Sequence, residues 1–118
     1  MARALTLGNG QFLVCLDEFG FVRDLYYPYV GLENHVSGEK HRIGVMVGPH
    51  FSWLDDGTWK INIAYKLESM VGYLLCKNEA LQLTLVMEDV VYNESAIFIR
   101  QVDLYYNGPE QTDVKLFF

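Results

Sequence analysis

The sequence predicts an all-β domain, an antiparallel two-sheet β-sandwich. Three observations lead there. Apolar residues alternate with period two, turn-forming residues recur between them at strand-length intervals, and no window carries a sustained 3.6-residue apolar stripe with caps. Successive side chains of a strand point to opposite sheet faces, so period two marks sheets with one face buried. At 118 residues the chain, 1–118, makes one domain around one core. Nine or ten short strands in one sheet would leave an apolar face in water, so two sheets packed face to face are expected.

The first three strands are predicted near 3–7, 11–16 and 21–26, separated by Gly8-Asn9-Gly10 and by Asp17 to Gly20. Gly8-Asn9-Gly10 lacks the third glycine and the helix start of a phosphate loop, and reads as a tight hairpin turn. A long irregular segment follows from Pro28 to about His41, of a length that in a compact domain is often functional or interfacial. Strands near 43–48 and 51–54 flank Gly48-Pro49-His50, and Asp55-Asp56-Gly57 closes the second. The clearest strand is 59–67, where Trp59, Ile61, Ile63, Tyr65 and Leu67 alternate with Lys60, Asn62, Ala64 and Lys66. A strand near 69–77 runs into the turn Asn78-Glu79.

In the strand near 80–92, Leu81, Leu83 and Leu85 alternate with Gln82 and Thr84, after which Val86, Val90 and Val91 change parity past Glu88 and Asp89. That change predicts a β-bulge at 86–89. Asn93-Glu94 and Asn107-Gly108-Pro109 bound a strand near 96–106, and a last strand is expected at 112–118. Val114 to Phe118 read as a strand in progress, so the sandwich is expected to be truncated.

Nine basic residues against fifteen acidic ones give a formal charge of −6, with no cationic stripe for a phosphate backbone, so no nucleic acid partner is expected. No run of about 18 apolar residues offers a membrane span, and the opening residues lack a signal peptide's apolar core, which points to a cytoplasmic chain. Cys15 and Cys76 lie in apolar runs, where thiols act as small core hydrophobes. Asn93-Glu94-Ser95 matches a glycosylation triplet but reads as turn chemistry.

Three adjacent acidic pairs occur: Asp17-Glu18 and Asp55-Asp56 in turns, read as solvated acids, and Glu88-Asp89 within a strand. Neighbours on a strand face opposite ways, so one such pair cannot present two carboxyls to one substrate. His35, His41 and His50 show no metal-ligand spacing, and no activated Ser or Cys is in view, so neither catalytic residues nor a metal or cofactor site is expected. Tyr26, Tyr27, Tyr29, Trp53 and Trp59 are candidates for stacking on the apolar face of a sugar, although sandwich cores are also filled with aromatics. Tyr27 and Tyr29, flanking Pro28, look least like core residues.

Leu7-Gly8-Asn9-Gly10-Gln11-Phe12-Leu13-Val14, then Asp17 to Gly20, then Arg23-Asp24-Leu25-Tyr26-Tyr27-Pro28-Tyr29-Val30-Gly31, resemble the opening of bacterial and archaeal glycoside hydrolase family 15 proteins, which include glucoamylases, glucodextranases and some trehalases. Glu33-Asn34-His35, Arg42-Ile43-Gly44-Val45 and Phe51-Ser52-Trp53-Leu54 extend the likeness through the first half of the chain. The resemblance implies an amino-terminal super-sandwich domain whose partner is a downstream (α/α)₆ barrel. In such proteins the barrel carries both catalytic glutamates and inverts at an α-glucosidic bond; it is absent from these 118 residues. Under this reading the chain is a noncatalytic accessory domain, and Tyr27, Tyr29, Glu33 and His35 face the barrel or a sugar. The alternatives are a stand-alone carbohydrate-binding module and a homo-oligomer formed through an open sheet edge.

Overall fold

The computed structural model describes residues 3–28, 34–36, 39–67 and 69–118. They form ten antiparallel strands and no helix, close to the predicted order: β1 (Leu5–Gly8), β2 (Leu13–Leu16), β3 (Val22–Tyr26), β4 (Gly44–Val47), β5 (His50–Trp53), β6 (Lys60–Tyr65), β7 (Gly72–Asn78), β8 (Leu83–Val91), β9 (Phe98–Tyr106) and β10 (Val114–Phe117). Hydrogen bonding sorts them into three sheets, β1-β2-β3, β10-β4-β5 and β6-β7-β8-β9. The fold is all-β and sandwich-like as expected, with three hydrogen-bonded sheets in place of two. The β4-β5 hairpin pairs with neither β3 nor β6 and stands apart, and β10 returns from the end of the chain to join it, setting Val114 against Val47 and Phe117 against Gly44. A pairing of that sequence separation leaves no local signal.

The inward faces of all three sheets meet in one apolar cluster. Leu5, Leu7, Val14 and Leu16 come from the first sheet, Val45 and Val47 from the second, and Leu74, Cys76, Leu83, Leu85 and Met87 from the third; Phe21, Ile43 and Leu54 fill the space between. Polar links tie the sheets together at their margins. The Tyr65 hydroxyl donates to the Thr6 carbonyl at 2.6 Å and accepts from the Thr6 amide at 3.1 Å, joining β6 to the free side of β1. Asn9 shows why the first hairpin turns where it does. Its Oδ1 accepts the amides of Gln11 and Phe12, while its Nδ2 donates to the carbonyls of Tyr92 and Ser95 in the β8–β9 turn.

The predicted bulge at 86–89 is absent. β8 pairs with β9 residue for residue, from Leu83 against Tyr106 to Val91 against Phe98. Alternation along β8 continues without a break, and the inward position where the apolar pattern fails holds Asp89, fully buried. The strand is regular and its inward-facing series contains a charge, which apolar periodicity reads as a slip. The register shift that does occur lies between Cys15 and Leu16, where β2 meets β3.

Asp17 likewise departs from the expectation. It is fully buried, not solvated: Oδ1 accepts the amides of Phe19 and Phe21, and Oδ2 takes the Arg23 guanidinium at 2.8 Å. Charged groups leave water only when such partners replace it. Cys15 and Cys76 are free and buried. Burial pushes the Cys76 thiol up to about 12.

Candidate functional site

The loop residues singled out in the sequence rest on a hydrogen-bonded base that β3 supplies. Asn34 Oδ1 accepts the amides of Leu25 and Val36, and its Nδ2 donates to Asp24 Oδ1 at 2.9 Å. The His35 amide donates to the Leu25 carbonyl, and the ring Nε2 donates to the Tyr27 carbonyl at 2.7 Å, which fixes the proton on that nitrogen. Asp24 also receives the Arg3 guanidinium, and this partner holds its carboxyl below the usual carboxylate range. The bridges Tyr26 to Asn34 and Val22 to His41 tie the segment to the outer side of β3 at both ends. Tyr27 is exposed, its ring edge-on to Phe12. Of the four predicted contact residues, Tyr27 and His35 are thus brought together, while Tyr29 and Glu33 lie outside the described residues.

The carboxyl-terminal end of the segment runs into a second set of groups that sequence reasoning did not assemble. On the outer face of the β10-β4-β5 sheet, Phe51 stands edge-on to Trp53 at 4.8 Å between ring centroids and to Phe117 at 5.6 Å. The Arg42 guanidinium lies over the Trp53 ring, 4.2 Å from its centroid. Gly44 makes this packing feasible, since a Cβ there would come within 2.6 Å of Phe51 and 2.9 Å of Trp53. Asp55 receives Lys40 at 3.1 Å and Arg42 at 2.7 Å. Burial opposes its ionisation, but these two hydrogen-bonded cations outweigh it and its carboxyl is held low. Lys40, His41, Arg42, Trp53, Phe117 and Phe118 line an open cleft of about 430 Å³.

A second cleft, about 470 Å³, opens beside the β5–β6 turn, with Trp59, Lys60, Asn62, Lys77 and Asn78 in its wall. The Trp59 indole N–H is taken by Ser52 Oγ at 2.8 Å, which itself bonds the Asp56 carboxylate. Among the described residues no three His, Cys, Asp or Glu side chains converge as a metal site would require, and no helix is long and apolar enough to cross a membrane.

No family model, curated protein or solved structure matches this chain.

Asp17, Asp55, Asp56 and Asp89 are each engaged by cations, hydroxyls or amides of the fold. Glu88 and Asp89 face opposite sides of β8, Glu88 outward to Lys66 at 3.0 Å and Asp89 inward to Arg100 at 2.6 Å. What the two clefts offer is aromatic surface beside cations and amides, an arrangement that binds by stacking and hydrogen bonding. Phe51 and Trp53 share a face by the period-two rule, and that much was available in the sequence. Phe117 joins them through the β10–β4 pairing and Arg42 through the Asp55 contact, neither of which has a local signature.

Proposed function

We propose that this chain is a noncatalytic accessory domain of a glucoamylase-like glycoside hydrolase, working in the cytoplasm beside an (α/α)₆ catalytic barrel. One observation carries the reading. Six of the residues behind the resemblance, Asn9, Asp17, Arg23, Asp24, Asn34 and His35, have side chains that fasten the first hairpins and the base of the segment from Pro28 to about His41. That gives their pattern a physical reason: it builds a rigid platform that presents Tyr27 and leads into the Arg42–Trp53–Phe51 face. Tyr27, His35, Lys40, Arg42 and Trp53 form the barrel-facing surface, and two buried free thiols suit a reducing compartment. Trp59, with Lys60, Asn62 and Asn78 in one cleft, supports the second reading, a carbohydrate-binding module.

The test pairs calorimetric titration of the chain with maltooligosaccharides and trehalose, a hydrolysis assay on the same sample, and addition in trans to an isolated family 15 barrel. The expected result is no turnover, no saturable sugar binding, and a higher melting temperature for the barrel that Tyr27→Ala with Trp53→Ala removes. Sugar binding abolished by Trp59→Ala would replace this reading with the module. Turnover would overturn both.

A further inference from the structure

Strand edges carry unpaired amides and carbonyls, and folds normally blunt them with short strands, lysine, proline, bulges or covering segments. Among the described residues, most edges here are blunted. β1 is four residues long and is met by the Tyr65 hydroxyl; β3 is bridged by Asn34 and His41; β5 and β10 have four residues each; β6 begins with Lys60 and is followed by Lys66. β9 differs. It is nine residues long, forms the rim of the four-stranded sheet, and pairs only with β8. Residues 98–106 contain no Pro, no Lys and no register shift, and the one cation, Arg100, is turned inward onto Asp89 and the Gly20 carbonyl. Ile97, Ile99, Leu104 and Tyr105 leave large apolar side chains exposed on or beside it.

We infer that β9 is a self-pairing edge, and that its partner is β9 of a second copy of this chain, joined antiparallel about a two-fold axis through Val102. The sequence of the strand selects that register. Opposed residues in a continuous sheet lie on the same face, so the allowed registers differ by steps of two. Centring on Val102 sets Ile99 against Tyr105 of the second copy and Gln101 against Asp103, each pair occurring twice. On the inner face Phe98 meets Tyr106, and Val102 meets itself. Centring on Asp103 would oppose two carboxylates, and centring on Gln101 would set Ile99 against Asp103. The Val102 register has no like charges opposed, and it turns two four-stranded sheets into one of eight. With a formal charge of −6 on each copy, association strengthens as salt is raised. None of this depends on the carbohydrate reading.

Sedimentation velocity over a concentration series from micromolar to millimolar tests it on the chain as it stands. Gln101 is exposed, so its variants leave the monomer folded, which thermal melting at low concentration verifies. Gln101→Asp opposes Asp103 of the second copy twice and should raise the dissociation constant by about tenfold, whereas Gln101→Lys should lower it by a similar factor. The register centred on Gln101 reverses the second effect, because two lysines would then face each other. Asn62→Asp and Asn62→Lys, on the opposite rim strand, change charge equally and should leave the constant unchanged. A chain monomeric throughout, a dimer indifferent to Gln101, or one weakened by Gln101→Lys would each overturn the inference.

Discussion

Gly20 holds a position that no other residue can fill at equal cost. Its φ is +77°, and a Cβ on it would stand 2.2 Å from Cδ2 of Leu74, in the core-facing row of β7. Gly20→Ala should therefore cost about 3 kcal/mol, from left-handed backbone strain together with overpacking. Chemical denaturation reads this as a lower midpoint with unchanged slope. The turn at Asp17 to Gly20 was legible in the sequence because Asp and Gly are turn residues. The closeness of Leu74 was not, since it arises where two sheets meet. Asp17 makes the same point: its place in a turn was readable, but its burial was not. Burial depended on Arg23 supplying the countercharge from the next strand.

At the scale of the element, β8 shows how a strand can be recognised and its parity misjudged. Leu83, Leu85, Met87, Asp89 and Val91 form one buried row, and only the charge at Asp89 breaks it. Arg100 completes the site from β9, reaching both Asp89 oxygens and the Gly20 carbonyl and so linking three strands or turns. Asp89→Ala leaves a guanidinium whose side chain is only 12% exposed without its countercharge, and should destabilise the fold by about 3 to 5 kcal/mol. The double variant Asp89→Leu with Arg100→Met should recover most of that loss, because an apolar pair removes both desolvation costs. A double-mutant cycle by denaturant unfolding measures it; additive losses would show that the two groups act separately. β6 was read with little error because its inward positions, Ile61 and Ile63, are all apolar.

Across the whole molecule, ion pairs and capped carboxylates brace each sheet and its turns, so stability should depend on acid. Asp24, Asp55 and Asp56 all have carboxyls held below their ordinary values. For Asp24 the chief cause is Arg3; for Asp55 and Asp56 burial is outweighed by Arg42 and Lys40 and by Ser52 and Thr58 respectively. A folded-state pKa below the unfolded one means that the unfolded chain binds more protons in acid. The stability these groups contribute is present above about pH 4 and is lost as pH falls through their lowered values. Melting temperature should stay nearly flat from neutral pH to about 5 and drop below about 4. Asp55→Asn should melt lower at neutral pH and show a shallower fall.

Sequence alone determined the secondary structure, the ten strands and the turns between them. Local sterics and the two-residue repeat act over a few neighbouring positions, and the turns carried their own Gly, Asn, Asp or Pro except the one between β6 and β7, where the Ser69 hydroxyl donates to the Lys66 carbonyl. It also directed attention to Tyr27 and His35, because a long nonperiodic segment is visible without knowing the fold. Only the tertiary structure decided the sheet membership of β10, the burial of Asp17 and Asp89, and the gathering of Arg42, Trp53, Phe51 and Phe117 on one face. Each of these rests on groups distant in sequence meeting in space, and the free energy of such a meeting, through desolvation and countercharge, is set by the surroundings and not by the residue itself.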